Sequence, residues 1–380
     1  MCLHLIIYTV RRGDTLWLIA RRFGVSADTL TAANQLQNPA VLSVGHALVI
    51  PGVGQSEAPA RQIIVNGYIT DTTADTLTET LPYLTFLSPF SYRTDADGTL
   101  TPTFTAAPAN GEAGVADLLT ITNLKAVGGF SSEVAHAILT QEGPQNAFLR
   151  NVTALLRNGG WYGVNLDFEY VYPFDRGSYN QFLRRFAELL HSLGALLITA
   201  LAPKQSDGQN GLLYTAHDYA AHGEIADYVV LMTYEWGYTY GPPMAVAPID
   251  QVRKVLDYAV SVMPAGKILM GVPNYGYDWT LPFRQGTAAK PLTNTAAVTL
   301  AGTVGAEIRF SETAQSPYFN YTDSMGRRHE VWFEDARSLR AKYRLVSDYG
   351  LAGVSFWNLN RLFRTNFLVL ESLFGIEKVL

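Results

Sequence analysis

From Ile63 onward, short apolar runs alternate with longer amphipathic stretches. Eight runs read as strands: IIVNGYI (63–69), YLTFLSPFSY (83–92), DLLTITNL (117–124), GVNLDFEY (163–170), LLITALAP (196–203), YVVLMTYEW (228–236), ILMGVPNYGY (268–277) and GVSFWNL (353–359). Between them the 3.6-residue spacing of apolar positions predicts helices, clearest over 179–194 and 248–263. Strands that are apolar almost throughout are covered on both faces, as in a parallel sheet wrapped by helices. Eight such units over residues 63–380 predict an α/β fold, a (β/α)8 TIM barrel. A doubly wound open sheet is the alternative, but no glycine-rich phosphate loop follows the first strand.

One connection is far longer than a normal loop and helix. Between Tyr277 and Gly353 lie AEIRFSE, SPYFNYTD and HEVWFED, all strand-like, and then a helix expected over 335–349. Residues 280–333 are therefore expected to form a small α+β insertion walling one side of a groove.

The first 51 residues follow a different pattern. Tyr8-Thr9-Val10 reads as a strand. Asp14 is placed to cap a helix with Leu16, Ile19, Ala20 and Phe23 on one face. Gly24 stops that helix, Ser26 opens a second, and Leu48-Val49-Ile50 returns as a strand before Pro51. Residues 7–51 thus predict a β-α-α-β unit, and the small, polar stretch 52–62 a linker whose flexible reach would be about 18 Å.

Composition and charge narrow the function classes. Among 380 residues, 48% are hydrophobic and only 16% charged, so long disordered segments are excluded. No apolar run reaches 18 residues, so no membrane partner is expected. The opening MCLHLIIYTVRR lacks a basic start and a small-residue cleavage site, and is not expected to be a secretory signal. The single cysteine and seven histidines without metal-ligand spacing predict neither a disulfide framework, nor a metal site, nor a cofactor. The net charge of −5 divides into +2 over residues 1–62 and −7 beyond, without a basic cluster, which argues against nucleic acid. A monomer is expected.

Candidate chemistry lies at the C-terminal ends of the strands, where barrels build active sites. Alternation along the fourth strand puts Asn165, Asp167 and Glu169 on the inward face, about 6.6 Å apart. Such burial costs several kcal/mol unless the groups are hydrogen-bonded or functional. Two adjacent carboxylates cannot both ionise freely, so one keeps a proton and can serve as a general acid. Met232-Thr233-Tyr234-Glu235-Trp236 and Phe356-Trp357-Asn358 end the sixth and eighth strands with aromatic groups suited to sugar faces.

The head, from TVRRGDTLWLIARRFGVS to GHALVIP, closely resembles the LysM module, which binds glycans containing N-acetylglucosamine. The resemblance implies sugar contacts in the loop Gly13, Asp14, Thr15, Leu16, and in the loop from Gln37 to Leu42 around Asn38. The remainder resembles glycoside hydrolase family 18, whose fourth-strand signature is DGxDxDxE. The matching features are NGY, GVNLDFE, MTYE and SFW on strands one, four, six and eight. Within that family, NLDFEY, ITNL…GGFSSEVAHAIL and YFNYTD…HEVWFED are similar to the LysM-bearing, spore-cortex-lytic N-acetylglucosaminidases. What the resemblance implies is Glu169 as the acid, Asp167 orienting the substrate's acetamido group, Tyr234 holding its oxygen, and Trp357 flooring the subsite. Glu235, Met232, Tyr68, Asn123, Trp236 and Tyr275 are further expected substrate contacts, and Asn165 belongs to the catalytic cluster.

Two carboxylates on one strand approach a sugar from the same side, so the substrate's own acetamido oxygen would attack, with retention; this family is among the substrate-assisted exceptions to the two-carboxylate scheme. Glu235, on another strand, is the rival nucleophile. Three positions depart from the family pattern: Tyr162 replaces the first signature Asp, Asn165 the second, and Glu235 the Asp usual after Tyr234. Asn165 cannot take a proton from Asp167 but is expected to hydrogen-bond to it. The implied activity is an N-acetylglucosaminidase acting on peptidoglycan in the spore coat, cortex or cell wall. A chitinase, a catalytically inactive lectin-like barrel and a structural spore-coat protein are the alternatives.

Overall fold

The computed structural model describes residues 5–52, 61–90, 92–103, 109 and 111–380. The sequence expected to link the two units lies largely outside them.

Eight parallel strands close into a barrel: Gln62–Ile69, Phe86–Pro89, Ala116–Thr122, Gly163–Asp167, Leu196–Leu201, Tyr228–Leu231, Ile268–Pro273 and Gly353–Trp357. Each pairs with the next, and the eighth returns to the first with Val354 opposite Val65. Period-two alternation sorts their side chains. Ile64, Tyr68, Phe86, Leu118, Ile198 and Val230 fill the barrel interior. Val65, Leu87, Leu119, Val164, Leu166 and Leu197 pack outward against the helices. Helices Arg176–Ser192 and Ile249–Val262 lie where their apolar spacing predicts.

The strands are shorter than the apolar runs. The second starts at Phe86, because Leu81–Tyr83 forms a helical turn. The fourth stops at Asp167, the sixth at Leu231 and the eighth at Trp357. The residues beyond leave the hydrogen-bond ladder and become the loops of the catalytic face.

The insertion begins earlier than residue 280. The run 268–277 breaks at Asn274, whose amide donates to the carbonyls of Asn358 and Arg361 at 3.0 Å each. The chain then leaves the barrel as strand Tyr275–Leu281 of a separate five-stranded antiparallel sheet. Helix Asn294–Thr303 covers this sheet over a small core of Ala297, Ala301, Ile308, Phe319, Val331 and Phe333. Helix Ala336–Asp348 follows, opened by Asp335 and Ser338 capping each other's backbone.

In the head, strands Leu5–Thr9 and Ala47–Pro51 pair antiparallel beside helices Leu16–Phe23 and Ala27–Ala33. Thr15, not Asp14, caps the first helix, its hydroxyl accepting from Leu18 N–H at 3.2 Å. Asp14 instead accepts from Arg11 N–H at 2.7 Å and from the Tyr8 hydroxyl at 2.8 Å, closing the preceding turn. Gly24 ends the helix at φ +69° and Ser26 caps the next.

The head is docked on the barrel rather than swinging on a tether. Its last strand is buried on both faces: Leu48 and Ile50 belong to the head's own core, Ala47 and Val49 to the barrel's outer core. Polar contacts complete the seam. Gln35 accepts from Arg364 N–H at 2.7 Å and donates to Leu362 C=O at 3.2 Å, while Ile308 N–H donates to Val44 C=O at 2.9 Å. Gly45 is irreplaceable there, because a Cβ would lie 1.8 Å from the Ile308 oxygen.

Candidate active site

A groove of about 690 Å³ opens at the C-terminal ends of the barrel strands. Asp167 and Glu169 lie in it with Tyr68, Met232, Tyr234, Glu235, Trp236 and Trp357. Phe90, Tyr170, Tyr214 and Tyr238 add aromatic surface that the sequence reading did not single out. Trp357 meets Tyr68 and Phe90 edge to face, with ring centroids 5.5 and 5.2 Å away, which holds its ring across the groove.

The two carboxylates are electrostatically frustrated. Asp167 is buried, and burial pushes its pKa up to about 7. Its Oδ1 has no hydrogen-bond partner among the described residues. Glu169 is raised well above the ordinary carboxylate value, first by burial and then by the neighbouring Asp167 charge. The pair therefore keeps a proton at neutral pH, favoured on Glu169, the condition a general acid requires.

Asn165 does not bond to Asp167. It points deeper into the barrel, where the Tyr68 hydroxyl donates to its Oδ1 at 3.1 Å and its Nδ2 donates to Ser88 at 3.1 Å. Ser88 in turn donates to Asn66 at 2.7 Å, and Asn66 to Ser355 at 2.9 Å. This chain of neutral groups crosses strands one, two, four and eight beneath the acids. Its signal was the polar residues interrupting apolar runs, Asn66 above all.

Asn123 does not line the groove. It is fully buried and clamps the peptide of Glu169: its Oδ1 accepts from Glu169 N–H at 2.9 Å and its Nδ2 donates to Glu169 C=O at 2.8 Å. The adjoining carbonyls are held as well, Phe168 by His217 at 3.0 Å and Tyr170 by Ser132. Because His217 Nδ1 accepts from Ala202 N–H at 2.8 Å, its proton sits on Nε2, facing Phe168. Burial lowers the His217 pKa to about 4, so the ring is neutral. Nothing in the sequence pairs His217 or Ser132 with the acid, since His217 lies on a loop far along the chain and Ser132 opens the separate helix Ser132–Thr140.

Tyr234 is buried and projects into the groove beside the acids. Glu235 follows at φ +65° and turns toward the insertion. There its Oε1 accepts from the hydroxyls of Tyr275 and Tyr277, the latter at 3.0 Å. The residue is exposed at the groove edge, yet crowding of its carboxylate raises its pKa more than these two donors lower it. Tyr275 thus meets the groove through Glu235 rather than lining it.

In the head, Gly13, Thr15 and Asn38 are exposed and Asp14 half-buried. Leu16, expected among the sugar contacts, is only 6% exposed and belongs to the head core, so its side chain is not presented at the surface as Gly13 and Thr15 are. Among the described residues no cluster of His, Cys, Asp and Glu could hold a metal ion, and no helix is long and apolar enough to cross a membrane.

Comparison with known proteins agrees with this geometry. Residues 119–361 match the profile of Glycosyl hydrolases family 18, and residues 8–51 that of the LysM domain. The chain is 44% identical to the cortical fragment-lytic enzyme of Bacillus subtilis (strain 168) over 98% of this chain and 99% of that protein. The crystal structure of the Bacillus megaterium QM B1551 spore cortex-lytic enzyme SleL superposes with a TM-score of 0.93 at 35% identity, covering 98% of this chain and 99% of that one. A chitinase from Chromobacterium violaceum ATCC 12472 superposes with a TM-score of 0.75 at 29% identity, over 82% and 98% respectively. With a family profile spanning most of the barrel and the fourth-strand acids set in its groove, the chain belongs to glycoside hydrolase family 18 and carries a LysM domain at its head.

Proposed function

We propose that this glycoside hydrolase is a retaining N-acetylglucosaminidase of bacterial spore-cortex peptidoglycan, cleaving the β-1,4 bond after N-acetylglucosamine and working at the cortex or cell wall. The observation that carries the reading is the pairing of Asp167 and Glu169 at one strand end, where burial and the neighbouring charge favour a proton on Glu169, with an Asp167 oxygen left without a donor among the described residues. Glu169 protonates the glycosidic oxygen. The acetamido N–H of the bound sugar supplies Asp167 with its missing donor, and Tyr234 holds the acetamido oxygen as it attacks the anomeric carbon. The resulting oxazolinium ion is stabilised by Asp167, and water opens it with Glu169 acting as base. Glu235 is already engaged by Tyr275 and Tyr277, which favours a wall of the subsite over a nucleophile. The similarity to cortical fragment-lytic and spore cortex-lytic enzymes supports the choice of substrate.

The test is mass spectrometry of digests of spore-cortex and vegetative peptidoglycan, with chitin oligosaccharides in parallel. New reducing-end N-acetylglucosamine fragments, absent with Glu169→Gln, are expected. Cleavage of chitin alone would make the protein a chitinase. Binding of every polymer without cleavage would make the barrel a lectin.

A further inference from the structure

Helices Glu142–Gly159 and Arg176–Ser192 follow strands three and four, and a groove of about 500 Å³ runs between them, apart from the catalytic residues. Its floor is apolar, with Leu149, Ala154 and Leu189, and Arg150, Arg157 and Arg185 stand around it. Two other arginines of the second helix are neutralised. Arg184 pairs with Glu224 at 2.8 Å, and Arg176 with Asp207 and Asp218 at 2.8 and 2.9 Å. The groove arginines are not. The Arg185 guanidinium donates to Gln145 Oε1 and Asn146 Oδ1 at 2.6 Å each, so neutral amides aim it and leave its charge uncancelled. Arg150 and Arg157 are exposed and have no ion pair or hydrogen bond among the described residues. Glu142 and Glu188 are the acids of these helices, and neither lines the groove or pairs with an arginine among the described residues.

Three uncancelled cations gathered over apolar side chains, on a chain whose net charge is −5, make a place for an anion. Guanidinium forks match the two oxygens of a carboxylate. Arg150 and Arg157 stand seven residues apart, which is about 10.5 Å along the helix axis. A single small anion cannot span them, whereas an extended peptide with acidic residues three apart spans about 10 Å. Small apolar residues between those carboxylates lie over Leu149, Ala154 and Leu189. A phosphodiester polymer meets the arginines but has nothing to lay on that floor.

We propose that this groove binds an acidic peptide through Arg150, Arg157 and Arg185, supplied by the short acidic peptides that branch from peptidoglycan strands. The source of the peptide rests on the peptidoglycan reading above. The two helices lie across the barrel from Ala336–Asp348 and Arg364–Glu371, on which the head docks. With the head on a glycan strand and this groove on a peptide branch, the catalytic face is held between two attachments.

The test uses the full chain carrying Glu169→Gln, with 15N-labelled arginine side chains read by NMR. The peptide acetyl-Glu-Ala-Ala-Glu-amide is expected to shift the Arg150, Arg157 and Arg185 signals saturably, and its Gln-Ala-Ala-Gln counterpart to leave them unmoved. A poly(glycerol phosphate) chain is expected to bind more weakly than the acidic peptide. Signals that stay in place with the acidic peptide, or phosphate binding as tight as the peptide's, overturn the proposal. The double variant Arg150→Gln with Arg157→Gln is expected to weaken sedimentation with vegetative peptidoglycan at least about threefold. Binding to the same glycan stripped of its peptides by an amidase is expected to be unchanged. An equal loss on both polymers, or on neither, also overturns the proposal. Hydrolysis is assayed separately in the chain retaining Glu169. Peptide shifts without hydrolysis would sink only the glucosaminidase reading, and hydrolysis without peptide shifts only the groove.

Discussion

Asn123 grips the backbone of Glu169 on both sides of its Cα, accepting from the N–H at 2.9 Å and donating to the C=O at 2.8 Å. This side chain comes from the end of the third strand, so the position of the acid is set by a neighbouring strand as much as by its own. Asn123→Ala leaves two buried backbone groups without partners and lets Glu169 drift. The expected outcome is a loss of about 1–3 kcal/mol in unfolding free energy. A fall in kcat of roughly 10–100-fold is expected, while KM, set by aromatic contacts, stays within a factor of two. Steady-state kinetics with urea melts on the same protein checks both.

Glu169→Gln keeps the shape of the side chain and removes its proton. A kcat loss of about 10²–10⁴-fold is expected, with polymer binding unchanged. An equal loss of binding in a sedimentation assay would contradict the role of acid.

The raised carboxylate pKa values have a consequence for stability. The folded state holds protons on Asp167 up to about pH 7, whereas an unfolded Asp loses them near 3.8. Folding therefore binds protons across this window, and stability falls as pH rises through it. Asp167→Asn is expected to raise Tm at pH 8 and to give little gain at pH 3.5. Scanning calorimetry at the two pH values checks the sign. Activity should follow the same window, with kcat/KM declining above about pH 7 as the shared protons leave.

Gly45 lies at φ +86° against the Ile308 carbonyl, so Gly45→Ala introduces both backbone strain and a clash. The wild-type chain is expected to melt in one transition, because Ala47 and Val49 are part of the barrel's core. The variant is expected to show an earlier transition for the head. Calorimetry shows the split, and proteolysis between residues 53 and 60 followed by gel filtration shows whether the head stays bound.

The buried pair Glu334–Lys342 is the fifth test. Lys342→Met leaves a buried carboxylate unpaired and is expected to cost roughly 3–5 kcal/mol. The double variant with Glu334→Gln is expected to recover most of that loss in urea melts, since no unpaired charge remains.

Local periodicity carries far in this chain. Alternation placed Asn165, Asp167 and Glu169 inward, opposite Val164, Leu166 and Phe168, because strand geometry sends successive side chains to opposite faces whatever surrounds them. The eight apolar runs were legible for the same reason, and Gly24 and Ser26 were legible as stop and cap in the head, whereas the first cap fell on Thr15 instead of Asp14. Their ends were not: Asn274 breaks the seventh run through hydrogen bonds to Asn358 and Arg361, more than 80 residues away. Nor could pattern foresee that Asn165 would turn from Asp167 to Tyr68 and Ser88, or that Asn123 would serve Glu169 instead of the sugar. A polar residue in an apolar run announces that a partner exists, but only closure of the barrel determines which donor reaches which acceptor. Docking of the head likewise depends on Ala47 and Val49 finding a complementary surface. Sequence by itself determined the elements, their buried faces and the acids. Tertiary structure decided the pairings, because hydrogen bonds and burial between distant segments exist only once the chain has closed on itself.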